Sequence, residues 1–340
     1  MRAGEIRMAD EKESKPTIQT AVRFGTGKEM EGAKPISDDA DSEPVEKEVR
    51  CRVLREGDEE MLDAFLASRP DTHLFMRFNL RQGGLSDEGR SYQGTWVGAV
   101  EDDPETDTQR VLAVAAIFWN GRVLLQLPER ATDVLDVLAG AAPRDFVEVA
   151  GPTAQIEQTI SHSWLRDRPI LSRHDCALMT VSAETFRAPD VLGAAGIDFR
   201  PPMGEELPLL GEWHAAFREE LWATPRSEEN DLDARNWVRR AHELRQGMVV
   251  TVGDKPVAYA AATAKLDDWV NIGAVYVPPD QRGRDYAKCV VAGIVRDAQR
   301  DGITNACLTA EKEQPASIGA YTAVGFQPAF DWTIVRYHDV

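Results

Sequence analysis

From Cys51 onward, apolar positions recur with two periods, one near 3.6 and one near 2, so short helices and short strands follow one another. Residues 58–68 and 74–80 read as helices, and 95–100 and 111–119 as strands. Asn120-Gly121 predicts a type I′ hairpin turn into a strand at 123–127. A helix at 131–138, a strand at 146–149 and a helix opened by Pro152 and running to about Trp164 follow. The second half repeats that order. Helices at 205–221 and 232–245 precede a strand at 248–252, which turns at Gly253-Asp254 into 256–263. A strand at 270–277 ends at Pro278-Pro279. The next helix, 287–300, is apolar at Ala287, Val290, Val291, Ile294, Val295 and Ala298, a stripe that faces a sheet, and Gly302 stops it. A strand at 305–309, a helix opened by Pro315 and strands near 325–330 and 333–337 close the chain.

The pattern therefore predicts a mixed α/β protein. It holds two copies of one unit, 49–185 and 186–340, each a mostly antiparallel sheet flanked by helices. Residues 1–48 precede them as a disordered acidic tail. The stretch 34–48 mixes Pro35 and Pro44 with acids such as Asp38, Asp39, Glu43 and Glu46, and has too little apolar surface to offset its ordering entropy.

Composition narrows the function. Of 340 residues, 43% are hydrophobic and 28% charged, ordinary values for a globular chain. The longest apolar run, 111–119, is far short of the ~18–20 residues a membrane helix needs. With 39 basic against 57 acidic residues the net charge is −18, which disfavours nucleic acid and anionic membrane as partners. Cys51, Cys176, Cys289 and Cys307 are widely spaced, and the six histidines lack ligand spacing, so neither a disulfide scaffold nor a metal is expected. The first ten residues have no apolar core, which predicts no secretory signal and a cytoplasmic protein.

Two stretches carry candidate chemistry. In Val275-Tyr276-Val277-Pro278-Pro279-Asp280-Gln281-Arg282-Gly283-Arg284-Asp285-Tyr286-Ala287, a strand ends in prolines, a loop carries one glycine and two arginines, and an amphipathic helix begins. Unpaired N–H groups at a helix start, its dipole and two guanidinium groups suit a diphosphate. The second stretch runs from Gln314-Pro315 through Tyr321 to Gly325-Phe326.

Together they resemble the GNAT superfamily of N-acetyltransferases. Its members bind the pyrophosphate of coenzyme A with an Arg/Gln-x-x-Gly-x-Gly/Ala loop. An Asn-Pro helix then presents a tyrosine to the thioester sulfur and ends in Gly-Phe. The resemblance covers roughly residues 196–338. Arg282 to Ala287 match the loop, with Asp285 in place of the middle glycine. Gln314-Pro315, Tyr321 and Gly325-Phe326 match the helix, with Gln314 in place of asparagine.

The resemblance implies acetyl-CoA as cosubstrate, held by Ala274, Val275, Tyr276, Val277, Arg282, Gly283, Arg284, Asp285, Tyr286, Ala287 and Gln314, with Tyr321 as catalytic acid toward the departing thiolate. It implies a small-molecule or protein amine as acceptor, and a monomer or homodimer. Asp285 either repels the diphosphate or caps the helix, and its place before Tyr286 favours the cap. No general base is identified. Asn271 stands where some members carry glutamate, and Asp267, Asp268, Glu219, Glu220 and Glu311 are the nearby carboxylates. The first half has Pro128-Glu129-Arg130-Ala131-Thr132-Asp133 in place of the loop and no matching tyrosine, so it reads as a unit without coenzyme binding that shapes the acceptor pocket. A non-catalytic acyl-CoA-binding or protein-interaction module is the alternative. His174-Asp175-Cys176 resembles a nucleophile set, but neighbours on a strand point to opposite faces, so it reads as structural.

Overall fold

The computed structural model describes residues 47–194 and 196–338. The acidic tail lies outside the described residues up to position 46. Its predicted end at 48 moves, because Glu48 already belongs to the first strand and Lys47 Nζ donates to Asp103 at 2.8 Å. The first half runs β1 (Glu48–Val53), α1 (Glu59–Ala67), α2 (Pro70–Gly83), β2 (Gly94–Asp103), β3 (Thr108–Phe118), β4 (Arg122–Gln126), α3 (Ala131–Ala141), β5 (Glu148–Pro152), α4 (Thr153–Ile160) and β6 (Ile170–Ser182). The second half runs β7 (Ile197–Arg200), α5 (Leu207–Trp222), α6 (Glu228–Glu243), β8 (Gly247–Val252), β9 (Lys255–Leu266), β10 (Trp269–Tyr276), α7 (Tyr286–Arg300), β11 (Asn305–Glu311), α8 (Pro315–Val324) and β12 (Gln327–Tyr337). The order β-α-α-β-β-β-α-β-α-β thus occurs twice.

All twelve strands share one sheet, in the order β1-β2-β3-β4-β5-β12-β6-β11-β10-β9-β8-β7. Each half lays down five strands from its own edge inward, and then the sixth strands cross. The second half's β12 pairs with β5 of the first, while the first half's β6 pairs with β11 of the second. The two exchanged strands meet antiparallel at the centre, from Gln327 opposite Thr180 to Tyr337 opposite Ile170. Along β6, Ala177, Met179 and Val181 enter the core under α7. Leu178 on the other face packs with Leu74 and Phe78 of α2, so a helix of the first half covers part of the second half's sheet.

Several predicted details change. Residues 119–121 form a three-residue loop in which only Gly121 has positive φ (72°), and its N–H reaches Phe118 O at 2.9 Å. A type I′ turn needs positive φ at both central positions, so that turn is absent. The strand expected at 146–149 starts at Glu148, where parallel pairing with Arg122 begins. The helix opened by Pro152 ends at Ile160, and the last two predicted strands are one, bulged between Pro328 and Phe330. Strands β1 and β7 are absent from the pattern, and the strand read at 174–176 extends over Ile170–Ser182.

Candidate functional site

The site opens where β10 and β11 part. Their parallel pairing covers only Trp269–Asn305, Val270–Ala306 and Asn271–Cys307. Beyond it, the register of β10 against β9 slips between Gly273 and Tyr276, with Ala274 at φ +52. A left-handed alanine costs about 1–2 kcal/mol, which the surrounding pairing must hold in place. A cavity of about 670 Å³ lies at the end of β10, between the starts of α7 and α8 and the last turns of α5.

Of the residues nominated from sequence, Val275, Tyr276, Val277, Arg282, Gly283, Asp285, Tyr286, Ala287, Gln314 and Tyr321 border this cavity. Ala274 and Arg284 do not, and Arg284 instead donates to Gln281 Oε1 at 3.3 Å. Phe217, Glu220, Leu221 and Lys288 also border it and were missed as a set.

The loop is built to receive an anion through its backbone. Among the described residues, the N–H groups of Gly283 to Lys288 have no hydrogen-bond partner in the protein. Gly283 (φ +75) and Asp285 (φ +63) alternate with their neighbours in a left-handed conformation, an arrangement that gathers successive N–H groups into a concavity. The flanking charges are already engaged. Arg282 Nη2 meets Glu220 Oε2 at 2.6 Å, its Nε donates to Val277 O at 2.9 Å, and its guanidinium lies 5.8 Å from the centre of the Tyr276 ring. Both partners of the ion pair are about half exposed, 48% and 45%, so the pair is worth at most about 1 kcal/mol and a phosphate can displace Glu220.

Asp285 corrects the capping expectation. It occupies the N-cap position of α7, but its left-handed backbone leaves no side-chain cap bond, and its carboxylate pairs with Lys288 Nζ at 2.9 Å. The carboxylate thus neutralises a cation that borders the cavity. Asp285→Gly is expected to tighten acetyl-CoA binding about tenfold, by removing roughly 1.4 kcal/mol of repulsion and freeing Lys288. The melting temperature should scarcely move. Relief of left-handed strain offsets the entropy that glycine adds to the unfolded chain. Calorimetry and a thermal melt on this variant check both, and unchanged affinity would mean that the carboxylate does not act on the ligand.

Tyr321 is buried, 8% exposed, on the cavity-facing side of α8. Burial pushes its hydroxyl up to about 12, so it stays protonated at neutral pH. Gln314 donates from Nε2 to Glu311 Oε2 at 2.9 Å and accepts from Ser317 Oγ at 3.3 Å. Among the carboxylates weighed as a base, Asp267 pairs with Arg77 at 3.1 Å, and Asp268 accepts from the Asn305 side chain at 3.0 Å. Glu220 is held by Arg282, and Glu311 lies 2.5 Å from His174 Nδ1. His214 is stacked 4.0 Å from Trp237, and burial lowers it to about 3.

The first half has a similarly short parallel pairing. Strands β4 and β5 pair only from Arg122–Glu148 to Leu124–Ala150. There the Gln155 side chain of α4 accepts the Leu127 N–H at 2.7 Å, just past the end of β4. Among the described residues, no group of three or more potential metal ligands converges, and no helix is long and apolar enough to cross a membrane.

Residues 207–326 match the acetyltransferase (GNAT) family. Among solved structures, a Drosophila protein aligns over 85% of this chain and 98% of its own at 13% identity, with a TM-score of 0.61. A tandem GNAT protein from the clavulanic acid biosynthesis pathway aligns over 85% and 98% at 11% identity, TM-score 0.52. A GCN5-related N-acetyltransferase from Sphaerobacter thermophilus aligns over 86% and 97% at 16% identity, TM-score 0.51. Comparison with curated protein sequences gives no match. At such identities the structural likeness is one of fold. The chain carries a GNAT acetyltransferase domain at 207–326, within a mixed α/β fold of GNAT type.

Proposed function

We propose that the chain is an acyl-CoA-dependent N-acetyltransferase, with acetyl-CoA bound by the unit 186–340 and the unit 49–185 completing its sheet and its acceptor side. The observation that carries this reading is the coincidence of the matched segment with a cavity floored by unpaired N–H groups and walled by a protonated tyrosine. The N–H groups of Gly283 to Lys288 would hold the diphosphate, with Arg282 and Lys288 as the adjacent cations. Backbone groups at Val275 to Val277 would line the pantetheine and orient the thioester. Acetyl-CoA supplies the activated acyl carbon.

The amine, having lost its ammonium proton to water, attacks that carbon directly, and the carbon–sulfur bond breaks. Tyr321 gives its proton to the departing sulfur, and the phenolate is restored by the proton that leaves the new amide nitrogen through water. The acidic surface favours a cationic amine, small or on a protein. A second reading, binding without transfer, draws on the two pairs that already engage the loop, Arg282–Glu220 and Asp285–Lys288. Calorimetry with acetyl-CoA, followed by thiol release against a panel of polyamines, amino sugars and lysine peptides, separates them. Binding with amine-dependent thiol release is the expected result. Binding without it across the panel favours the second reading, and no binding ends both.

A further inference from the structure

The exchanged strand carries a second cluster. His174 Nδ1 lies 2.5 Å from Glu311 Oε1, and His174 Nε2 lies 2.9 Å from Ser172 Oγ. With Nδ1–H donating to the carboxylate, Nε2 keeps the lone pair that accepts the serine O–H. Carboxylate, imidazole and hydroxyl therefore stand in the order that activates a serine nucleophile in hydrolases. Ser172 and His174 sit two apart on β6 and share one face, and β11 delivers Glu311 to the same face. His174, Asp175 and Cys176 alternate faces along the strand and cannot act as one set. The partners that share a face are Ser172 and, 137 positions away, Glu311.

Two further features turn this chain of hydrogen bonds into a reaction centre. Arg336 stands directly opposite Ser172 in the antiparallel register of β6 and β12, so the two side chains leave the sheet on the same face. Its Nη1 donates to Trp222 O at 2.9 Å and Thr224 Oγ1 at 3.2 Å, which fixes it at the end of α5. A cation anchored on the face that carries Ser172 adds positive potential on the side where the oxyanion forms when a carbonyl is attacked. The centre also abuts the coenzyme cavity, because Glu311 is bonded to Gln314 in the cavity wall and Leu221, next to Trp222, lines it too.

We propose that Ser172 is an activated hydroxyl that accepts an acyl group from an ester or thioester, with His174 as its base and Glu311 orienting the imidazole. Ser172 Oγ passes its proton to His174 Nε2 and forms a bond to the acyl carbon. The carbon–oxygen or carbon–sulfur bond to the leaving group breaks, and that group departs as the anion or takes the proton from the imidazolium. Water, activated by the same imidazole, then cleaves the seryl ester to a carboxylic acid and restores the hydroxyl.

The test stands apart from the coenzyme assignment, because its donor is p-nitrophenyl acetate. The full chain should release p-nitrophenolate in a burst approaching one equivalent, and peptide mapping should find acetyl on Ser172. His174→Gln should slow acetylation of Ser172 by about 100-fold or more, and Glu311→Gln by a smaller factor, with unchanged thermal melts. Ser172→Ala should remove the adduct, and Ser172→Cys should restore acylation at that position. A fluorophosphonate probe applied to the unaltered chain should label Ser172, which needs no variant to fold. Absence of both the acetyl and the probe from Ser172, or acetylation at the same rate in His174→Gln, overturns the proposal.

Discussion

Replacing Tyr321 with phenylalanine is expected to lower turnover roughly 10- to 1000-fold while leaving acetyl-CoA affinity within a factor of about two. The ring is the part of Tyr321 that packs, with its centre 6.3 Å from that of Phe326, and phenylalanine keeps it. What the change removes is a proton that burial holds on the oxygen until about pH 12. Protonated at neutral pH, the hydroxyl can hydrogen-bond to the departing sulfur and share its proton as negative charge develops there. The loss should therefore appear in kcat rather than in binding, measured by thiol release and calorimetry on one preparation. Unchanged kcat, with chemistry rate-limiting, would reduce Tyr321 to a packing residue.

Gly283→Glu is expected to weaken acetyl-CoA binding by at least about 100-fold. A Cβ at Gly283 would meet nothing within 4 Å, so the protein itself has room for a side chain. The obstacles are the backbone and the ligand. At φ +75, a non-glycine residue costs about 1–2 kcal/mol. A carboxylate about 4 Å from a phosphate charge adds up to about 4 kcal/mol at an effective dielectric of about 20. Each 1.4 kcal/mol is tenfold in Kd. Gly283→Ala carries the strain without the charge, and should lose stability while binding within about tenfold of the parent. Equal affinity of Gly283→Glu and the parent in calorimetry would remove the diphosphate from this loop.

The stretch from β10 to α8 was legible because its signals are local. Two prolines end the strand, a 3.6-period stripe marks α7, Gly302 stops it and Pro315 opens α8. Asp285 was half legible. Its N-cap position followed from the helix start, but a left-handed backbone redirects the carboxylate to Lys288, and no residue type announces that turn. The Arg282–Glu220 pair joins residues 62 apart, so α5 enters the site through tertiary packing alone. The extent of strand β6 escapes the pattern for a related reason. Its outer half, from Ile170 to Asp175, is largely polar and exposed, and only pairing with β12 makes it a strand.

The crossing of the sixth strands also sets an order of events during synthesis. β12 spans the last of the described strands, eleven residues, yet it lies between β5 and β6 at the middle of the sheet. Until it is made, β5 has an open edge, and β6 finds its other neighbour, β11, only after a further 120 or so residues. The nascent first half therefore leaves the ribosome with two unfilled strand positions, the condition under which open edges pair with other chains. A fold assembled from such distant pairings closes slowly, because loop closure must precede the contacts that reward it. The sheet closes only once β12, which follows every other described strand, has been made.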